Sequence, residues 1–331
     1  STVSEAPAWD QSIAIFLAQN NVDVWGMDYA WAFVPLMPPA TADFGFMEGW
    51  GLERDVAYAE RALSIVRSIR LASGQGKRRM HLLGFSYGVP VAYAIAGNET
   101  QLPPGKRIVN GIISVDFDLK LPEGATSESC AAADTGQEAI SKGDYSNPNG
   151  AFLSTVGMLA EYLPNEYSEI PGFGAFTNWQ VAVLLGAMDN PWHFVAGQFE
   201  GFVPVGLTYT DPDLWIDLLQ RVPPYVPRQV MVDVNRARCD ADDVPFDDYL
   251  GEITVPIYAV GAAGGAALVQ HTPWLTASSN IQQLKVQFLP DEWRMLDFGH
   301  GDLMMAENAE SEVWQPILDW IKDHRSERAF P

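Results

Sequence analysis

Apolar residues recur at three- and four-residue spacing over Trp9 to Gln19, where Ile13, Phe16 and Leu17 share one face, and this spacing predicts an amphipathic helix. Directly after it, Val22-Asp23-Val24-Trp25-Gly26-Met27-Asp28 predicts a short buried strand. Helical spacing returns at Leu52, Val56, Ala59, Leu63, Val66 and Ile69, with charges on the opposite face and Gly74 and Gly76 at the end. Met80-His81-Leu82-Leu83-Gly84 is a brief apolar run bounded by turn residues. A helix from about Tyr87 to Ala96 follows, tolerating Pro90 in its first turn. Ile108 to Val115, rich in branched residues, predicts another strand that stops at Asp116. Strands alternating with helices predict an α/β fold with a mostly parallel sheet and helices on both faces.

From about Leu119 to Leu250 the alternation stops, and Gly, Pro, Trp and Phe become frequent, as in Pro171-Gly172-Phe173-Gly174-Ala175-Phe176. Val255 to Gly261 resumes the strand pattern, Val286 to Leu289 offers another strand, and Val313 to Lys322 predicts a closing amphipathic helix. The predicted organisation is a sheet domain of residues 1–118 and 251–331, split by a cap over 119–250. Gly261-Ala262-Ala263-Gly264-Gly265-Ala266-Ala267 is expected to be a flexible or closely approached loop.

With 331 residues, 47% hydrophobic and 19% charged, the chain can bury a large core. The formal charge of −22, from 20 basic and 42 acidic residues, repels nucleic acid and anionic membrane surfaces, so neither is an expected partner. No run approaches the roughly 18 apolar residues of a membrane span. Ser1-Thr2-Val3-Ser4-Glu5 lacks the basic flank and apolar stretch of a signal peptide. Two cysteines, Cys130 and Cys239, exclude a disulfide-rich scaffold and a thiolate zinc site. They stand near the two ends of the predicted cap, which must approach each other to leave and rejoin one domain, so a single bridge is expected. That bridge and the acidic composition point to a secreted or periplasmic protein, with a cytoplasmic one as the alternative.

The residues that carry chemistry begin at Gly84-Phe85-Ser86-Tyr87-Gly88, between a predicted strand and a predicted helix. A sharp strand-to-helix turn of this pattern forces the serine outward as a nucleophile, and glycines two residues either side admit the close backbone approach. A serine hydroxyl needs a base. His81 lies inside the strand, His324 in the terminal helix, His193 in the cap, and His271 after a loop with no strand to position it. His300, in Asp297-Phe298-Gly299-His300-Gly301-Asp302, follows the last predicted strand and has glycine on both sides. It is the candidate base.

With the elbow at Gly84–Gly88, the Gly299-His300 loop and the cap between them, the chain resembles the α/β-hydrolase superfamily. Leu17 to Trp25 also looks like the segment after the oxyanion turn in acid-lipase and esterase relatives. The resemblance implies a serine hydrolase with a lid, without cofactor or metal, and Tyr87 as one oxyanion N–H donor. Relatives that carry the acid after the penultimate strand would place it at Val260 to Gly265, where no carboxylate stands. Others place it one strand earlier, which implies Asp116, with Asp118 as runner-up and Asp302 as a local loop cap. The strand that normally lies between those of Val24 and Ser86 has no counterpart after Ser1. The resemblance therefore implies further protein upstream, in a companion chain or a longer precursor.

The leading expectation is hydrolysis of a carboxylic ester with an apolar group, with Phe85, Trp179, Trp192 and Phe194 facing the substrate. Lactone or amide hydrolysis and acyl transfer use the same residues. A non-catalytic binding protein of this fold is the alternative from another class. No His-x-His or His-Glu-x-x-His spacing suggests a metal hydrolase.

Overall fold

The computed structural model describes residues 12–37, 42–75, 79–188, 192–239, 244–267 and 270–325. Residues 1–11, including Trp9, and Gly76 lie outside them. The chain opens with α1 (Ile13–Gln19), α2 (Leu52–Ala72), β1 (Met80–Phe85), α3 (Gly88–Thr100) and β2 (Val109–Val115). Between β2 and β7 come α4 (Ser127–Ser141), β3 (Ser146–Asn147), α5 (Asn149–Tyr162), α6 (Asn178–Ala187), β4 (Gly197–Glu200), β5 (Val203–Leu207), α7 (Pro212–Arg221), β6 (Val226–Pro227) and α8 (Arg228–Cys239). The chain then forms β7 (Ile257–Ala262), β8 (Ile281–Val286), α9 (Asp302–Met305) and α10 (Gln315–Asp323).

Four parallel strands run in the order β1-β2-β7-β8. All of β7 and nearly all of β2 are buried, as central parallel strands must be when helices cover both faces. Ile113 and Val115 alternate with Ile112 across the sheet. The first two join Tyr258 and Val260 against Phe16, Leu303, Trp314 and Ile317, whereas Ile112 joins Ile257 against Leu52, Val56, Val89 and Tyr93. The expected α/β architecture is therefore present, with α1, α9 and α10 on one face and α2 and α3 on the other.

Two strand expectations need correction. Val22 to Asp28 forms no strand, and Val24, Trp25 and Met27 are exposed. Among the described residues β1 is the outer strand on that side, with Leu83 39% exposed, so this apolar segment has no ladder to join. The last strand is Ile281–Val286 rather than 286–289. Its Gln282, Gln283 and Lys285 face water on an edge and blur the apolar signal, whereas the N–H groups of Phe288 and Leu289 donate to the Asp297 carboxylate. The terminal helix starts at Gln315, after a wide turn over Glu310–Trp314.

The stretch between β2 and β7 packs in two ways. Val234 and Ala237 of α8 join the cluster under α2 and α3. Val156, Ala160, Val181, Val195, Trp215 and Leu219 form a separate cluster between α5, α6 and α7. Thr177 starts α6 by a reciprocal cap, accepting from the Gln180 N–H at 3.3 Å while its own N–H donates to the Gln180 side chain at 2.9 Å.

Cys130 and Cys239 form a disulfide between α4 and the end of α8, with Cα atoms 4.7 Å apart and a sequence separation of 109. A bridge over a loop of that length restricts the unfolded chain by up to about 4.7 kcal/mol. Reduction is expected to lower the Tm by on the order of 10 °C in calorimetric scans with and without reductant. Titration under denaturing, non-reducing conditions should find no reactive thiol.

Candidate active site

The end of β1 and the end of β2 carry the same backbone device. Ser86 and Asp116 both have φ of 52°, the left-handed region that non-glycine residues rarely enter. The Ser86 N–H still bonds the Val115 carbonyl at 3.0 Å, and the Asp116 N–H bonds Val260 at 2.7 Å. Each residue thus keeps its hold on the neighbouring strand while the chain turns sharply away. Behind the serine the turn is tight: a β-carbon on Gly84 would lie 2.4 Å from the Gly88 carbonyl oxygen. Gly88 differs, because an added β-carbon there meets nothing within 4 Å. The steric need expected of both glycines holds for Gly84 only. Gly84→Ala is accordingly expected to cost about 1–3 kcal/mol in denaturant unfolding, and Gly88→Ala to leave stability within about 1 kcal/mol.

Asp116 is fully buried and its two oxygens are saturated. Oδ1 accepts from the N–H groups of Ala262 and Ala267, both at 3.1 Å, and Oδ2 accepts from Ala266 at 2.9 Å. The remaining donor is His300 Nδ1, 2.7 Å from Oδ2. The glycine-rich loop after β7 is closely approached rather than loose, since a β-carbon on Gly265 would lie 2.2 Å from Asp116 Oδ2. A nitrogen facing a carboxylate must donate, so Nδ1 carries the proton and Nε2 of the neutral ring keeps its lone pair. Nε2 is buried and has no hydrogen-bond partner among the described residues. Ser86 Oγ is therefore not yet bonded to it. The ring of Phe85, next to Ser86 in the chain, is stacked on the imidazole with centroids 4.5 Å apart.

Trp192 and Phe194 meet the other sides of His300 edge-on, at 5.2 and 5.1 Å. Trp179 instead packs into the cluster of α5, α6 and α7. Tyr87 follows Ser86 at the start of α3, and its phenol donates to Asp55 Oδ2 at 2.9 Å. Trp31 Nε1 donates to the same oxygen at 3.2 Å. Burial raises the Asp55 pKa and, with Asp55 beside it, pushes the Tyr87 phenol well above its ordinary range.

Asp118 lies two residues beyond Asp116 but turns elsewhere. It accepts from the N–H groups of His271 and Thr272, at 2.9 and 2.8 Å to Oδ1, and burial raises its pKa. His193 is buried, its Nε2 donates to the Asp297 carbonyl at 2.7 Å, and burial lowers its pKa. His81 stays in β1, where burial lowers its pKa to about 4, and His324 is bonded to Asn280 and Trp320.

The likeness to solved structures follows this geometry. The chain aligns with a candidate lipase from Sulfolobus solfataricus at a TM-score of 0.62 and 22% identity, covering 96% of this chain and 78% of that one. This chain has the α/β-hydrolase fold. A monoacylglycerol lipase from Paleococcus ferrophilus aligns over 80% of this chain and 75% of its own, at TM-score 0.39 and 14% identity. A candidate non-heme bromoperoxidase from Mycobacterium tuberculosis H37Rv aligns over 87% and 78%, at TM-score 0.42 and 13% identity. No protein-family model and no curated protein matches the chain.

Sequence reasoning passed over Asp297 and read Asp302 only as a local loop cap. Asp297 and Asp302 stand on either side of the Gly299-His300-Gly301 turn in the chain, and both are fully buried. Asp297 receives the N–H groups of Phe288, Leu289 and Phe298. Asp302 caps the Gly299 N–H as expected, but also takes donors from the segment between β2 and β7. Two carboxylates so close to Gly-His-Gly were the available signal.

Proposed function

We propose that this chain is a serine hydrolase of carboxylic esters bearing an apolar group. The observation that carries the reading is the buried Asp116–His300 pair, with the free Nε2 of His300 next to the elbow that presents Ser86. Ser86 Oγ attacks the ester carbonyl while His300 Nε2 takes its proton, and the Tyr87 N–H supports the oxyanion. Collapse of the tetrahedral intermediate expels the alcohol, which leaves with the proton from Nε2. Water then adds to the acyl-enzyme, again losing a proton to Nε2, and the acid departs as Ser86 is restored. Asp116 holds the tautomer and stabilises the imidazolium. Trp192, Phe194 and Phe85 around His300 favour an apolar acyl or alcohol group.

Labelling by a fluorophosphonate tests this reading. Wild type is expected to be labelled and Ser86→Ala is not, and an unlabelled wild type would sink the proposal. A panel of esters, lactones and amides of varied chain length then assigns the bond, with apolar esters expected to react fastest.

The disulfide suits an oxidising compartment, secreted or periplasmic. Among the described residues no helix is long and apolar enough to cross a membrane. We also infer an added strand beside β1, in cis or from a companion chain. It is supported by the outer edge of β1, which pairs with no strand among the described residues, and by the exposed Leu83, Val24, Trp25 and Met27. A structure of active material is expected to show a strand paired with β1. An unpaired β1 edge in active material would refute it.

A further inference from the structure

The loop that bears His300 is held largely by a part of the chain far from it in sequence. The N–H groups of His300 and Gly301 donate to the carbonyls of His193 and Phe194, at 3.0 and 2.6 Å. The His193 N–H in turn donates to Gly264 at 2.9 Å, in the loop that grips Asp116. On the following turn Asp302, with no exposed surface, gathers three donors. Its Oδ2 accepts from Gly299 at 2.7 Å and Ala196 at 2.9 Å, and its Oδ1 from the Thr210 hydroxyl at 2.5 Å. Gly299 immediately precedes His300, whereas Ala196 and Thr210 stand at the two ends of the β4–β5 hairpin. One carboxylate therefore joins the histidine loop to both ends of that hairpin. The seam continues where Thr210 bridges Ala306 and the Glu307 N–H donates to Tyr209 at 2.9 Å.

We propose that Asp302 is a positioning residue: by locking the β4–β5 hairpin onto the histidine loop, it fixes where the His300 imidazole sits between Asp116 and Ser86. The inference rests on the serine-hydrolase reading above. Two features set this carboxylate apart from an incidental cap. A loop cap needs only the Gly299 N–H, while the donors from Ala196 and Thr210 come from 106 and 92 residues away. Burial also works against the charge, raising the pKa of Asp302 to about 6, with its three donors acting in the opposite sense. A small apolar residue would avoid that cost but would leave the Ala196 and Gly299 N–H groups buried without an acceptor. The consequence concerns motion: the hairpin is part of the frame of the site at His300, so any opening to substrate occurs elsewhere along the 119–250 segment.

Displacing a reacting group by about 1 Å costs roughly 100-fold in rate. Asp302→Ala is expected to lower kcat and the rate of fluorophosphonate labelling by about that factor, with KM within about twofold of wild type. Asp302→Asn should recover most of the loss, because its amide oxygen can serve Ala196 and Gly299 while its NH₂ faces the Thr210 hydroxyl. Thr210→Val, which keeps the carboxylate, should lose less, roughly tenfold. A lower Tm with kcat per folded molecule unchanged in Asp302→Ala would reduce the residue to a structural one and overturn the proposal. If Asp302→Ala does not fold, wild-type kcat in Thr210→Val overturns it equally. Failure of the wild type itself to label at Ser86 would instead overturn the hydrolase reading.

Discussion

Ser86→Ala is expected to lower kcat by about a millionfold, and His300→Ala by a similar factor. The two act as one unit: the hydroxyl without a base is a weak nucleophile, and the base without a hydroxyl has nothing to activate. Removing either one therefore costs nearly as much as removing both. The fold should survive both changes. Ser86 already holds a left-handed backbone that alanine adopts at a cost of about 1–2 kcal/mol, and its main-chain bonds to Val115 and Val89 do not involve the side chain. Circular dichroism and thermal melting should thus resemble wild type, while turnover of an activated ester falls to background. Near-wild-type turnover in either variant would remove Ser86 and His300 from the mechanism.

For the acid, Asp116→Asn is expected to lower kcat by roughly 10⁴-fold. The argument follows from the four donors around the carboxylate. Asparagine has one acceptor oxygen, and the pair of N–H groups from Ala262 and Ala267 claims it. The amide NH₂ is then left against the Ala266 N–H and His300 Nδ1. The imidazole answers by turning Nδ1 into an acceptor, which moves its proton to Nε2 and destroys the base at the atom that faces the serine. Asp118→Asn should barely change kcat, because its carboxylate serves His271 and Thr272 rather than the imidazole. A large loss at Asp118 with little at Asp116 would transfer the role two residues along.

The alternation of apolar runs and amphipathic segments was sufficient to predict the parallel sheet, because β2 and β7 are buried on both faces and write that burial as unbroken runs of branched residues. Edge positions were less legible. β8 faces water through Gln282, Gln283 and Lys285, so its pattern resembles a loop. Val22 to Asp28 has the composition of a strand, yet a strand exists only where a neighbour accepts its hydrogen bonds, and local sequence cannot report on that neighbour.

The elbow glycine, serine and histidine were readable because their constraint is local: a turn too tight for a β-carbon, and a loop needing glycine on both sides. The choice of Asp116 came from likeness to other proteins rather than from spacing. Only the folded chain brings Asp116 to residues 262, 266, 267 and 300, its partners among the described residues. The same holds for Asp302, whose local bond to Gly299 is visible in sequence and whose bonds to Ala196 and Thr210 are not. Hydrogen-bond partners a hundred residues apart leave no periodicity in the chain. Sequence alone thus determined which residue types could carry the chemistry and where the chain must turn. The tertiary structure decided which carboxylate meets the imidazole, because that depends on strand order and loop closure rather than on neighbours along the chain.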